Sequence, residues 1–324
     1  MRALLPALLL GLLLWPRPSV AQSWPEEPVS IAGGRVTLGG EATATVAPAD
    51  DGYFNYTDYE RSALQLLRLG VTASVRPAER LTFITELRAE GDTAGGDWTA
   101  LPFAAYMRIR PWKHRAFDIQ AGRIPPVFGA AGRRIYAHDN VLIGYPLAWQ
   151  YLTVLRSDSV PATADELIYA RQRGWKTWYS VGDGNYARGV PLTTAFRYDT
   201  GVEARLGDEQ GRVSVAAALT AGTLSSPGAR DSNGGPQFST RVAVRPLVGL
   251  VVAGSFADGS FLADSVRDTL AAGGDDSRYE QQTWGADAEY SIGHFLARTE
   301  LVHARWTLPT LRAPGIDRPL TARR

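Results

Sequence analysis

Arginine is the residue type in this sequence best placed to act on a solute, and it recurs between Gly122 and Val190. Rings of arginine that line a pore favour anions. The alternative is that these arginines pair with acids and only hold their segment in place. Both interpretations concern six candidate residues, which are Arg123, Arg133, Arg134, Asp139, Arg156 and Asp158.

The segment that carries these residues is far longer than an ordinary connection. Connections of that length are usually functional or disordered. Its content of apolar and aromatic residues, such as Phe128, Leu142 and Trp149, argues against disorder. We therefore expect residues 123–190 to fold as an ordered insertion that sets what passes.

The rest of the chain alternates apolar and polar residues, which is typical of strands with two different faces. In the first such segment, Val36 and Leu38 alternate with Arg35 and Thr37. The segments lie at 33–46, 67–76, 81–90, 103–110, 117–122, 192–206, 213–219, 238–245, 248–256, 284–290 and 295–301.

Short and long connections alternate between these segments. The short ones are 77–80, 111–115, 207–211, 246–249 and 291–294, and the long ones are 47–62, 92–101, 123–190, 222–236 and 258–281. This is the plan of an outer-membrane barrel with short periplasmic turns and long extracellular loops. Arg-Pro pairs at 76–77, 110–111 and 245–246 all lie on the short side, where proline ends a strand.

The amino terminus predicts export. Arg2 precedes an apolar run from Ala3 to Trp15, and the small residues up to Ala21 form a cleavage site. The run is shorter than the roughly 20 residues that span a bilayer as a helix. The chain has no cysteine, which excludes disulfides and Cys-based metal sites, and its net charge of +1 implies no nucleic-acid partner.

These observations predict an all-β fold, an antiparallel up-and-down transmembrane β-barrel with about 11 visible strands. We expect a signal peptide at 1–21, the barrel at 22–306 with the insertion 123–190, and an irregular tail or truncated loop at 307–324. An odd strand number is unusual for such barrels, so either closing strands are missing at the carboxyl end or a strand at 175–181 lies hidden in the insertion. A soluble sandwich is the competing fold.

The polar faces of the predicted strands carry side chains of both charges, as expected if these faces line a water-filled lumen. The predicted lumen wall comprises Arg68, Arg88, Arg108, Arg197, Asp199, Glu203, Arg241, Glu289, Arg298 and Glu300. Aromatic residues are expected to face outward in two belts. The belts are Trp112, Phe117, Tyr290 and Phe295 by short turns, and Trp98, Phe103, Trp284 and Trp306 by long loops.

One short motif resembles a known family. Gly122, Arg123, Pro126, Phe128 and Gly129 resemble the G-[RK]-x-x-x-P-F-G element of phosphate-selective, OprP-like porins, although one extra residue separates the proline from the phenylalanine. The resemblance implies a porin-like barrel and a homotrimer. The lysine cluster tied to phosphate selectivity in that family has no counterpart, because the chain has only Lys113 and Lys176.

The resulting hypothesis is an outer-membrane porin-like channel of a Gram-negative bacterium. It would pass small hydrophilic solutes by diffusion, with a slight preference for anions, and contact outer-membrane lipids and lipopolysaccharide. We expect no enzyme activity, catalytic residue, cofactor or metal. Two alternatives stay open: a structural or adhesive barrel with a plugged lumen, and a barrel lipid hydrolase acting through His303, the histidine nearest a strand's outer end.

Overall fold

Thirteen antiparallel strands pair in chain order into one sheet in the computed structural model, which describes residues 28–44, 66–92, 98–134, 146–149, 151–170, 177–194, 197–207, 211–272, 278–309 and 320–323. The first six strands are β1 (Val29–Ile31), β2 (Val36–Ala44), β3 (Leu66–Ala78), β4 (Leu81–Asp92), β5 (Trp98–Ile109) and β6 (Phe117–Ile124). The insertion contributes β7 (Ser159–Val160) and β8 (Val181–Gly182), which form a separate two-stranded sheet. The large sheet continues with β9 (Asp199–Leu206), β10 (Val213–Thr220), β11 (Gln237–Leu247), β12 (Leu250–Ser260), β13 (Glu280–Ile292), β14 (Phe295–Leu308) and β15 (Leu320–Arg323).

The eleven predicted strands correspond to β2–β6 and β9–β14, so the antiparallel up-and-down plan is confirmed. The interpretation of the tail as irregular is wrong for residues 320–323, because β15 pairs with β14 from Arg305 to Leu308. Its four residues are too few to show a clear alternation. Within the described part of the insertion, β7 and β8 are the only strands, and neither joins the large sheet.

The sheet has its polar face buried and its apolar face exposed. On β13, Gln281, Thr283 and Asp287 are buried, whereas Trp284 between them is 55% exposed. Leu301 on β14 is 71% exposed. Water would favour the opposite arrangement, so this distribution argues against the soluble sandwich.

Two of the expected outward aromatic residues instead lie inside. A β-bulge in β5 opposite Glu86 and Leu87 adds one residue and turns Phe103 inward, where it is 1% exposed. Trp306 lies on the same face of β14 as Arg298 and is fully buried. The other six aromatic residues are exposed or half-buried, as predicted.

An apolar core fills part of the interior near the long connections. It joins the insertion to the β12–β13 connection and to the inner face of β14. Two short helices belong to these connections, α1 (Ala164–Tyr169) and α2 (Asp264–Ala272). The core members are Leu155, Val160, Val190, Leu192, Phe261, Leu262, Val266, Leu270, Tyr279, Ala304, Trp306 and Leu308. Because Leu192 packs here, the predicted strand 192–206 begins only at Asp199.

No helix in the described ranges is long and apolar enough to cross a membrane. The proposed signal peptide at 1–21 lies outside those ranges, as do Asp139 and other parts of the insertion.

Candidate channel constriction

The insertion begins with a turn seated against the inner wall by three glycines. Phe128 is fully buried against Gly285 of β13, where a Cβ atom would lie 2.7 Å from the phenyl ring. Trp149 packs on Gly132, where a Cβ would lie 2.6 Å from the indole. Gly129 has φ +67°, a conformation that glycine adopts readily, and its amide donates to Ser255 Oγ of β12 at 3.0 Å.

Glu300 on β14 is one of the carboxylates that hold this turn. Glu300 accepts a hydrogen bond from the indole Nε1 of Trp149 at 3.0 Å, and from the backbone amides of Ala130 and Ala131 at 3.3 Å each. The same amides begin a short 3-10 helix, Ala131–Arg133. Glu300 therefore fixes both ends of the segment 130–149 to one wall.

Two arginines leave that helix toward different strands. Arg133 pairs with the buried Glu203 of β9 at 3.1 Å, and its Nε donates to the Pro126 carbonyl at 3.0 Å. Arg134 pairs with Glu289 of β13. The insertion thus spans the interior from β14 to β9 and β13.

The acids that receive these arginines are shared with arginines of the wall. Glu203 also accepts from Arg205 at 2.5 Å, and Glu289 accepts from Arg298 at 2.8 Å. A third pair joins Arg241 of β11 to Asp287 of β13 with two contacts at 2.6 and 3.2 Å. Within the described residues, these three carboxylates pair with five arginines.

A cavity of about 580 Å³ opens beside the helix at the short-turn end of the interior. Its charged lining residues are Arg133, Arg134, Arg205, Arg241, Arg245 and Glu289. The cavity is thus polar and predominantly basic. Gly129 and Ala130 of the insertion turn also line it.

The structure brings together only part of the predicted constriction. Arg123 lies on the same face of β6 as Ile119 and Ala121, opposite to the inward face that carries Gln120. Its Nη1 donates to the Pro102 carbonyl at 2.5 Å. Arg133 and Arg134 lie at the cavity. Asp139 lies outside the described residues.

Arg156 and Asp158 stabilise the insertion itself. Arg156 is 2% exposed, pairs with Asp158 at 2.8 Å and donates to the carbonyls of Thr177 and Asn185 at 3.1 and 2.5 Å. Asp183, 3.7 Å from Arg156, has its pKa lowered mainly by the hydrogen bond from the Asn185 backbone amide. These contacts hold Arg156 within the insertion.

Most of the predicted lumen wall follows the inward parity. The residues that do so are Arg68, Arg88, Arg108, Asp199, Glu203, Arg241, Glu289, Arg298 and Glu300. Arg88 pairs with Glu86 at 2.9 Å and lies 3.6 Å from the centre of the Phe103 ring. Arg197 is exposed in the bend before β9 and is not part of a strand.

Several site residues were not among the candidates, notably Arg205, Arg245, Ser255 and Asp287. Their inward parity was visible in the sequence. The sequence did not show which strands lie close together, and it is this arrangement that brings Asp287 to Arg241.

The described residues contain no group of three or more potential metal-ligating His, Cys, Asp or Glu side chains. His303 is exposed on the outward parity of β14, opposite Trp284.

Comparison with known proteins finds similarity in structure and not in sequence. No protein-family profile matches the chain, and no curated protein matches it. Among solved structures, it is similar to OmpF of Salmonella typhi in complex with daunomycin, at 11% identity and a TM-score of 0.40. The match covers 84% of this chain and 64% of the OmpF chain, so this chain spans less than two thirds of that porin. A likeness at this score supports no conclusion about this chain.

Proposed function

We propose that this protein is a porin-like channel of an outer membrane, through which small hydrophilic solutes diffuse. The observation that supports it is the inverted distribution of polarity, with charged residues buried on one face of the sheet and leucine, valine and tryptophan exposed on the other. A hydrocarbon layer accepts such an exterior, and it requires that backbone groups pair within the sheet.

The insertion is proposed to narrow the lumen. Its contacts support this role, because Glu300, Glu203 and Glu289 hold the turn from three strands. The excess of arginine around the cavity favours a slight preference for anions. Three carboxylates within the same network keep that preference small. Kinship to OprP-like porins, export by cleavage near Ala21, contact with lipopolysaccharide and a homotrimer are further proposals that follow from the sequence.

Planar-bilayer recording of the purified protein tests the channel. We expect discrete single-channel steps, which become larger when residues 130–185 are replaced by a short glycine-serine linker. The reversal potential measured in a salt gradient should be shifted slightly toward the equilibrium potential of the anion. A folded, heat-modifiable protein that leaves the bilayer silent would contradict the proposal.

The apolar core near the long connections supports a second candidate, a structural barrel with a plugged lumen. Twelve buried apolar residues join the insertion, the β12–β13 connection and β14, and they fill that part of the interior. Conductance separates the two candidates. If the lumen is plugged, only the variant lacking 130–185 should conduct.

A further inference from the structure

Each of the three Arg-Pro pairs at the short turns places its arginine beside a second arginine on the neighbouring strand. The backbone amide of Arg76 donates to the carbonyl of Arg35 at 2.7 Å. The same contact joins Arg110 to Arg80 at 2.9 Å and Arg245 to Arg212 at 2.8 Å. Like charges directly opposite each other in a sheet are destabilising, so three such pairs at one end need another explanation.

A proline follows one arginine of each pair, close to the short-turn end of the sheet. Pro77 follows Arg76, Pro111 follows Arg110 and Pro246 follows Arg245. Proline keeps the preceding residue extended and cannot donate to a ladder. Each of these arginines is therefore held extended next to a short turn, and β3 and β11 continue past their prolines to Ala78 and Leu247.

The six arginines continue the inward parity of their strands. Arg110 follows the inward Arg108 by two residues, and Arg212 precedes Ser214, which lines the cavity, by two residues. Arg245 itself lines the cavity. The parity of all six places their side chains on the inner face of the sheet, at its short-turn end. Four of them, Arg35, Arg76, Arg80 and Arg110, lie in or next to four consecutive strands, β2 to β5.

Two carboxylates of the described residues lie near these arginines. Glu79 pairs with the Lys113 ammonium, and Asp118 lies on the inward parity of β6, opposite Arg205. The hydrogen bond from Lys113 lowers the pKa of Glu79, so this acid is already engaged. All six arginines are exposed except Arg245, which is half-buried and donates to the Gly211 carbonyl at 2.9 Å.

We propose that these six arginines, the short-turn mouth, bind small anions that carry two or more separated carboxylate groups. Each guanidinium can hold a carboxylate with two hydrogen bonds. Neighbouring strands lie about 4.8 Å apart, so a ligand with separated charges bridges several arginines where chloride or sulfate cannot. The role of the mouth in capturing solutes rests on the proposed channel function, whereas binding itself does not.

Citrate is the probe for this site. The detergent-solubilised full-length protein is titrated with citrate at constant ionic strength and in the presence of a chelator, and its unfolding temperature is followed by heat modifiability. Binding to the folded state raises that temperature in a saturable way. We expect the variant R76Q/R110Q to need on the order of tenfold more citrate for the same rise, since two charge-assisted contacts are lost.

The matched control is R230Q, which removes an exposed arginine from the β10–β11 connection at the opposite end. It should respond to citrate as the natural protein does. Removing like charges can raise the starting stability of R76Q/R110Q, so the measured quantity is the increment caused by citrate.

Each outcome decides the proposal. No increment, an equal increment in R76Q/R110Q, or an equal increment with sulfate at matched ionic strength would overturn the site. An increment that R76Q/R110Q loses, in a protein that is silent in bilayers, would leave the site standing and remove the channel. If the protein conducts and citrate does not raise its unfolding temperature, the channel stands and the anion site is removed.

Discussion

Glu300 links the insertion to the wall, and its hydrogen-bond donors among the described residues are one indole and two backbone amides. Its carboxylate accepts from Trp149 and from two backbone amides. A buried carboxylate needs such donors to offset the loss of hydration. Gly129 is required as well, because a Cβ there would overlap Glu300 Oε1.

Replacing Glu300 by glutamine tests this attachment. The amide keeps the size of the side chain but offers one acceptor oxygen and opposes the remaining donors with its own N–H groups. Hydrogen bonds to a charged group contribute about 1.5–3 kcal/mol each. We therefore expect residues 130–149 to detach in E300Q and the single-channel conductance to rise.

A thiol provides a readout that does not depend on conductance. The chain has no cysteine, so A131C carries the only thiol. Adding E300Q to A131C should speed its labelling by a membrane-impermeant maleimide on the order of tenfold. E280Q, which removes an acid paired with the exposed Arg278, is the matched control. Equal labelling rates in all three proteins would refute the attachment.

Gly285 tests the seat of Phe128. In G285A the new methyl group would lie 2.7 Å from the phenyl ring, so Phe128 or the strand must shift. Overpacking of this kind costs about 1–3 kcal/mol. The control is G254A on the adjacent strand, where nothing lies within 4 Å of the position that the new methyl group would take. Unfolding in denaturant should show the loss in G285A, and equal stability of the two variants would contradict the packing.

At the scale of elements, the short turns are tied to each other by charge. Lys113 of the β5–β6 turn pairs with Glu79 of the β3–β4 turn. The hydrogen bond from Lys113 lowers the pKa of Glu79 from its ordinary value of 4.5. A group whose pKa is lowered on folding stabilises the folded state above its ordinary pKa, and this contribution is lost as the pH falls through the lowered value.

The Lys113–Glu79 pair should therefore stabilise the folded state at pH 7, and this stabilisation should be lost as the pH falls below about 4.5. We expect K113Q to unfold at a slightly lower temperature than the natural protein at neutral pH. At pH 3 the difference in unfolding temperature between K113Q and the natural protein should be smaller. Both side chains are exposed, so the effect is small and should shrink in high salt. A gap independent of pH would exclude an ionic contribution.

At the scale of the molecule, the exposed apolar face decides where the protein can reside. Leu301, Leu87 and Val71 are 71%, 57% and 58% exposed on one face of the sheet. Contiguous apolar surface of this kind is rare on soluble monomers. We expect the mature protein to sediment with membranes and to need detergent for extraction. Recovery as a soluble monomer without detergent would overturn both the barrel and the channel.

Much of the fold was predictable from the sequence because a strand with two environments has a period of two. The parity from Gln281 to Tyr290 shows which residues face inward, and the lengths of the connections show the order of the strands. Arg133 and Arg134 could be picked out as candidates from charge and position alone. No contact between distant strands was needed for these conclusions.

Other features required the tertiary structure. A one-residue bulge reversed Phe103, because parity arguments fail wherever the ladder is irregular. Arg123 and Arg156 carry the same charge as Arg133, yet only their neighbours show that the first lies on the outward parity and the second braces the insertion. The convergence of Glu300, Trp149 and three glycines joins residues more than 150 positions apart, and periodicity along the chain contains no information about such contacts.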